Sequence, residues 1–175
     1  MSPSLKAVRL IDINDLSTAL PHLQQKLAFL LGMAAFLRPS DLRRIDFAAA
    51  YIEIERNRQY LSFQVVAPKE RRAGRRIIRP FRLYNHQDPS LCPVATFQAI
   101  KDRLAHLIPQ PTVTSFFVNT NMTTQIVKVT TISSWIRRLI RLSTSEPRVS
   151  CLVINDVFIY YFTIHLSPAY VRLYN

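Results

Sequence analysis

The sequence predicts a mostly helical α+β domain that carries a small three-stranded antiparallel sheet. Apolar residues recur at helical spacing on both sides of one central stretch, and within that stretch apolar and polar residues alternate instead. The chain has 175 residues, of which 49% are hydrophobic. This is enough for one domain with its own core.

The first predicted helix starts at Leu20 and should end near Leu37. Pro39 sets this end, because proline disfavours helical geometry in the residue before it, Arg38. A short second helix is then predicted to run through Arg44. The buried stripe of the first helix consists of Leu20, Leu23, Leu27, Leu30, Leu31 and Ala34.

Three alternating runs follow and predict a meander of three antiparallel strands. The runs cover residues 52–55, 61–65 and 77–83. Residues 57–59 are predicted to form the first turn, and residues 68–74 the second. The second turn carries Lys69, Arg71 and Arg72.

Two further helices complete the predicted fold. One begins at Pro93 with its apolar face formed by every third or fourth residue up to Leu107. The other can be capped by Thr130 or Thr131. Its inward residues are Ile132, Trp135, Ile136, Leu139 and Ile140, and its opposite face carries Arg137, Arg138 and Arg141.

The charge of the chain indicates a polyanionic partner. Lysine and arginine number 23 against 11 acidic residues, which gives a net charge of +12. Between residues 37 and 82 there are 12 basic and 5 acidic side chains, a local net charge of +7. Such a basic field attracts nucleic acid and speeds encounter with it.

Several other classes of protein are disfavoured by composition. Cys92 and Cys151 are too few for a disulfide framework or a zinc site, so we expect a reduced, intracellular protein without a metal. The first residues lack the apolar core of a signal peptide. The apolar run at 151–166 is short and interrupted by two polar residues, which argues against a membrane partner. With 2 glycines, no glycine-rich phosphate loop or nucleotide cofactor is expected.

The segment 32–42, with the sequence GMAAFLRPSDL, resembles the first arginine box of the tyrosine recombinases, the phage-integrase type found also in eukaryotic mobile elements. In that box a helix ends in Leu-Arg, followed by a small and an acidic residue. Asp46, the meander with its turn lysine, and the helix over 131–140 follow in the family's order. The resemblance divides the chain into a lead-in (1–19), a recombinase-like core (20–150) and a divergent tail (151–175).

The resemblance implies a site for breaking and rejoining DNA strands, in the nucleus or elsewhere inside the cell, with no cofactor. Arg38 would hold the scissile phosphate, Lys69 would protonate the departing 5′ oxygen, and a late tyrosine, of which Tyr170 is our candidate, would attack phosphorus. Double-stranded DNA is the expected partner, with self-association on it. The expected DNA-contacting residues are Arg43, Arg44, Arg71, Arg72, Arg75, Arg76, Arg137 and Arg138.

The chain departs from the family after the last predicted helix. The family's second box, His-x-x-Arg, is missing: only His165 lies downstream, and Pro168 stands three residues later. No late tyrosine stands in a recognisable box. We therefore expect a truncated or degenerate recombinase domain, inactive as written. Two alternatives stay open, a DNA-binding module without chemistry and a basic protein that binds another protein.

Arg38 and Lys69 each have a simpler interpretation. A cation near a helix C-terminus stabilises the helix dipole, worth about 0.3–1 kcal/mol. Lysines in turns are usually solvated, and the arginine cluster around Lys69 can be a solvated face. The recombinase hypothesis differs from these interpretations because it requires Arg38 and Lys69 to converge on one basic surface.

Overall fold

The computed structural model describes residues 7–66, 71–72, 75–76, 80–107, 115–119 and 125–142, with only the backbone at 71–72 and 75–76. Within these ranges the predicted α+β class is confirmed. The helices are α1 (Leu20–Ala35), α2 (Pro39–Leu42), α3 (Pro93–Leu107) and α4 (Val129–Arg141), with a 3-10 turn at Pro89–Leu91. The strands are β1 (Tyr51–Glu55), β2 (Arg58–Gln64), β3 (Arg71–Arg72), β4 (Arg75–Arg76) and β5 (Pro80–Tyr84).

The sheet is the predicted antiparallel meander, in the order β1-β2-β5. Its first turn was placed wrongly at 57–59. The two-residue turn is Arg56–Asn57, with both residues at positive φ, 48° and 63°, and Arg58 already belongs to β2. This is the backbone of a type I′ hairpin turn. Between β2 and β5 a separate two-residue ladder pairs β3 with β4.

The outer face of the sheet is polar, and its charges are satisfied within the sheet. Arg82 lies 5.2 Å from the centre of the Tyr60 ring, and Arg58 lies 4.9 Å from that of Tyr84. The Tyr60 hydroxyl donates to Glu53, and this hydrogen bond is the main reason that the pKa of Tyr60 is raised to about 12. Two of the basic residues in the +7 segment are thus partnered by aromatic rings.

The inner face of the sheet packs on an aromatic core. Phe63 of β2 stacks on Phe81 at 5.3 Å between ring centres, and Phe97 of α3 stacks on Phe116 at 5.0 Å. Phe47 contacts both Phe97 and Phe116 edge-on. Clustered rings of this kind contribute about 0.5–1.5 kcal/mol per pair beyond the area that they bury. The core therefore joins the sheet, α3 and the segment 115–118.

α1 is the central helix, since it packs against both α3 and α4. It buries the five leucines of its predicted apolar stripe and three polar side chains, Gln24, Gln25 and Lys26. Gln24 accepts a hydrogen bond from the Val118 amide at 3.0 Å. Lys26 is fully buried and donates to the Ile11 carbonyl at 2.6 Å. Nothing in the spacing of the sequence predicts a lysine inside the core.

Residues 7–19 pack along this core. Val8 is completely buried, and Arg9 forms an ion pair with Asp88. Arg103 of α3 donates to the carbonyl of Thr18 and, at 2.7 Å, to that of Asp15. The described part of the lead-in is therefore tied to α1, α3 and the turn before α3.

The helices that the sequence predicts after the sheet are confirmed. In α3 the side chains of Val94, Phe97, Ile100 and Leu104 are buried. Cys92 caps this helix: its buried, free thiol accepts from the Ala95 amide at 3.4 Å. α4 begins at Val129 after the N-cap residue Lys128, so the prediction that Thr130 or Thr131 caps it is wrong, and it buries Ile132, Ile136 and Leu139. Across the described ranges, no helix is both long and apolar enough to cross a membrane.

Candidate nucleic-acid interface

Arg38 lies at a sharp break between α1 and α2. α1 ends at Ala35, two residues earlier than predicted, because Phe36 takes a left-handed conformation with φ 53° and ψ 34°. Leu37 then turns into the core and is only 8% exposed. Arg38 is exposed and extended, with φ −74° and ψ 156°, as the residue before proline must be. The buried leucine on one side and Pro39 on the other fix the base of this arginine.

Asp41 stabilises the same junction between α1 and α2. One carboxylate oxygen, Oδ2, accepts from the Arg38 amide at 3.3 Å. The other, Oδ1, accepts from Nη2 of Arg44 at 2.5 Å. Arg44 also donates through Nε to the Ser40 carbonyl at 3.0 Å. Both carboxylate oxygens of Asp41 are therefore hydrogen-bonded, one to the Arg38 amide and one to Arg44. The Arg38 guanidinium takes no part in this ion pair.

Arg38 and Arg43 present their charges to solvent. Both are exposed, and no residue of the described ranges forms a hydrogen bond or ion pair with either guanidinium. Arg44 differs from these two arginines, since it is half-buried and paired. An uncompensated guanidinium on a fixed backbone can take a phosphate through two parallel hydrogen bonds. Of the three arginines predicted in this box, Arg38 and Arg43 have that geometry.

The end of β2 lies directly against the α2 region. The Val66 amide donates to the Arg44 carbonyl at 2.7 Å, and the Asp46 amide donates to Gln64 at 3.1 Å. Ile45 and Val65 form the bridge between these two bonds. Val66, the last described residue before the predicted lysine turn, therefore lies beside the arginine box.

The structure does not describe the side chains of several predicted site residues. Lys69, three positions after Val66 in the sequence, and Tyr170 lie outside the described residues, as does the tail from 143 onward. Whether Lys69 converges with Arg38 therefore stays a prediction. The other arginines of this turn are described by backbone alone: Arg71 and Arg72 in β3, and Arg75 and Arg76 in β4.

α4 adds a second basic surface, and it packs against both α1 and α2. Arg138 and Arg141 are exposed, whereas Arg137 is half-buried and donates to the Ser133 carbonyl at 3.3 Å. These arginines, with Ser134 and Leu142, lie on one face of α4. The predicted polar face of this helix is confirmed, and its charge faces solvent.

Sequence reasoning missed two contributors to the arginine box, Phe36 and Asp41. Asp41 was noted only as an acidic residue after the arginine, although its position three residues into a proline-led helix is typical of a residue that caps the helix start. No sequence signal marks Phe36, since residues that end helices in the left-handed region are usually glycine.

Neither a metal site nor a known relative defines this surface further. The described residues hold no group of three or more histidine, cysteine or acidic side chains that could bind a metal. No family model matches the chain, and neither the curated proteins nor the solved structures include a significant match to it. The class that the fold and the site define is therefore an α+β domain with an exposed arginine-bearing helix junction.

Proposed function

We propose that the chain is a duplex-DNA-binding domain of the tyrosine-recombinase type, in which Arg38 holds a backbone phosphate for strand breakage and rejoining. The observation that carries the proposal is the arginine junction. A buried leucine, a proline and the Asp41 carboxylate fix the Arg38 backbone, while its guanidinium faces solvent away from the Asp41–Arg44 ion pair.

The neighbouring charges support a polyanion as the partner. Arg43 is exposed on the same short helix, and Arg138 and Arg141 are exposed on α4, which packs against that helix. Where arginines replace the counterions of DNA, binding weakens steeply as salt rises. A protein partner would need a comparably dense acidic surface, so duplex DNA is the simpler partner for this charge.

The chemistry of the proposal is positioning and charge stabilisation. A phosphoryl group in transfer carries negative charge on its non-bridging oxygens, and a planar guanidinium matches two of them. By the family resemblance, Lys69 would be the general acid and a late tyrosine the nucleophile. These two roles rest on the resemblance alone.

Fluorescence anisotropy with a labelled duplex tests the binding proposal. The wild-type chain should bind with a strong salt dependence. Arg38→Ala should weaken binding by about tenfold to a hundredfold, since a hydrogen bond to a charged group contributes about 1.5–3 kcal/mol, and it should lower the salt slope by about one. Arg58→Ala is the matched control, because Arg58 is also an exposed arginine but stacks on Tyr84. Equal losses in the two variants would contradict the proposal.

A second candidate function, DNA binding without chemistry, is favoured by the missing His-x-x-Arg box after α4. A nicked suicide duplex separates the two functions, because a tyrosine recombinase leaves a covalent protein–DNA adduct on it. An adduct that disappears in Arg38→Ala would support strand breakage. Salt-dependent binding with no adduct would establish the binding module instead.

A further inference from the structure

A cavity lies where the starts of α1 and α4 meet the stretches 117–119 and 125–127. These two stretches form a short ladder, because the Asn119 amide donates to the Gln125 carbonyl at 2.8 Å and the Val127 amide donates to the Phe117 carbonyl at 3.0 Å. The volume of the cavity is about 330 Å³, which is large enough for a small ligand. Its walls include Pro21, Val118, Val127, Lys128, Thr131 and Trp135.

The charges around this cavity favour an anion. α1 follows Ala19 and α4 follows Lys128, and neither helix has a side-chain cap or an acidic residue in its first turn. The amides at a helix start carry partial positive charge, so the two starts attract the same anion. Lys128 adds a full charge, since it is exposed and no described residue forms a hydrogen bond or an ion pair with its amine.

A buried donor without a partner lies against the same wall. Gln24 is completely buried, and its Oε1 accepts from the amide of Val118, a wall residue, at 3.0 Å. This bond fixes the orientation of the side-chain amide, because the accepting atom must be the oxygen. The other end, Nε2, is a donor for which the described residues provide no acceptor. Buried polar groups are nearly always hydrogen-bonded, so this donor indicates an acceptor from outside the described chain.

The other walls suit a flat apolar ring. Lys128, Thr131 and Trp135 are three and four residues apart, so they lie in one line along the start of α4. The line is charged at one end and aromatic at the other, and Pro21 and Val118 add apolar surface. Aromatic side chains stack on nucleobases, and helix starts bind phosphate. A nucleotide combines these two groups in one molecule.

We propose that this cavity binds a nucleoside 5′-monophosphate, either free or as the phosphorylated 5′ end of a DNA strand. The phosphate lies at the starts of α1 and α4 with Lys128 as its counter-charge, and the base packs on Trp135. Gln24 donates to the phosphate through a bound water, because its side chain does not reach the cavity surface. Arg138 lies about 15 Å further along α4, so this site is separate from the arginine surface and does not rest on the proposed function.

Isothermal titration calorimetry of the full chain with deoxyadenosine 5′-monophosphate tests the proposal. Deoxyadenosine and inorganic phosphate, titrated separately, should each bind at least about tenfold more weakly, because each lacks one of the two groups. Lys128→Met should weaken binding of the monophosphate by about tenfold or more, as for loss of a charge-assisted hydrogen bond. The matched control is Lys101→Met, which removes the same charge from an exposed position on α3.

Two further measurements report on the buried donor and on the ring. Gln24→Glu keeps an oxygen for the Val118 amide but replaces Nε2 by a second oxygen, so it should also weaken binding by about tenfold or more. If this variant does not fold, Lys128→Met still tests the site. In NMR spectra, the indole N–H signal of Trp135 should shift as the monophosphate saturates the cavity.

The outcomes distinguish the two sources of the nucleotide. If a 5′-phosphorylated single strand binds more tightly than the monophosphate and than the same strand with a 5′-hydroxyl, the ligand is a DNA end. If the monophosphate binds and the 5′-phosphate of the strand has no effect, the ligand is a free nucleotide. No saturable binding of either, or equal binding by the wild type and Lys128→Met, overturns the inference. The Arg38→Ala titration with a duplex tests the proposed function independently of these results.

Discussion

The buried lysine of α1 should make this protein more stable as pH rises above neutrality. Lys26 is completely buried, and its amine donates to the Ile11 carbonyl. Burial lowers its pKa from 10.5 to about 8, against the opposing effect of the nearby Asp12 and Asp88 carboxylates. The folded chain thus holds this proton less tightly than the unfolded chain does.

The sign and size of the effect follow from that difference. Between pH 8 and pH 10.5 the unfolded chain binds more protons at Lys26, so the free energy of unfolding rises with pH through this window. Each pKa unit corresponds to about 1.4 kcal/mol, so the full rise is about 3 kcal/mol. Below pH 8 the lysine is charged in both states, and the whole cost of burying that charge is present.

Urea denaturation at several pH values between 7 and 9.5 measures the first part of this rise, about 2 kcal/mol. The range stops below 10 because the raised pKa of Tyr60 lowers stability at higher pH. Lys26→Met should be more stable than the wild type at pH 7 and should lose the rise. Lys101→Met is the matched control, since Lys101 is an exposed lysine and its removal changes the net charge equally.

One result would refute the reasoning. If the free energy of unfolding of the wild type runs parallel to that of Lys26→Met from pH 7 to 9.5, then Lys26 has the same proton affinity folded and unfolded. If the free energy of unfolding rises equally with pH in the wild type, Lys26→Met and Lys101→Met, the rise is a general effect of net charge.

Three other perturbations test the fold and the arginine box. Replacing the turn Arg56–Asn57 by Asn-Gly, which suits positive φ at both positions, should add about 0.5–1 kcal/mol of stability in urea denaturation. Asp41→Ala removes the acceptor of the Arg38 amide and an ion pair, and should cost about 1–2 kcal/mol; an unchanged melting temperature would show that the junction holds without it. Phe97→Ala should cost about 3–5 kcal/mol, and a loss below about 1 kcal/mol would contradict the aromatic core.

The long elements could be predicted from the sequence because their periodicity reflects burial directly. In α4, Ile132, Ile136 and Leu139 point inward, and Arg138 and Arg141 face water, as the spacing indicates. Apolar side chains at helical spacing leave the helix few other ways to pack. The three strands follow from alternation for the same reason.

The turns and the helix end could not be predicted, because their residues are not those that the backbone favours. Arg56 and Phe36 both have positive φ, where glycine or asparagine is expected. The pairing of Glu55 with Arg58 closes the turn at Arg56, and the burial of Leu37 fixes the chain after Phe36. The first turn was therefore displaced by one residue, and α1 ends two residues before its predicted end.

The polar interactions of the site could not be predicted from the sequence either. Arg44, like Arg38, was predicted to contact DNA, yet only the structure separates the paired arginine from the exposed one. Lys26 gives no sign of burial in the sequence, since its partner carbonyl lies 15 residues away. A sequence shows where charged residues are in excess. It does not show which of them form ion pairs or hydrogen bonds in the folded protein.

The single tryptophan of the chain provides an intrinsic optical probe. Trp135 meets Phe117 edge-on at 6.3 Å and lines a cavity of about 330 Å³ together with Pro21 and Lys128. The fluorescence of its indole should therefore report whether α4 is packed against the start of α1. Ultraviolet emission can follow that seating during refolding, or during addition of a duplex, in an unlabelled protein.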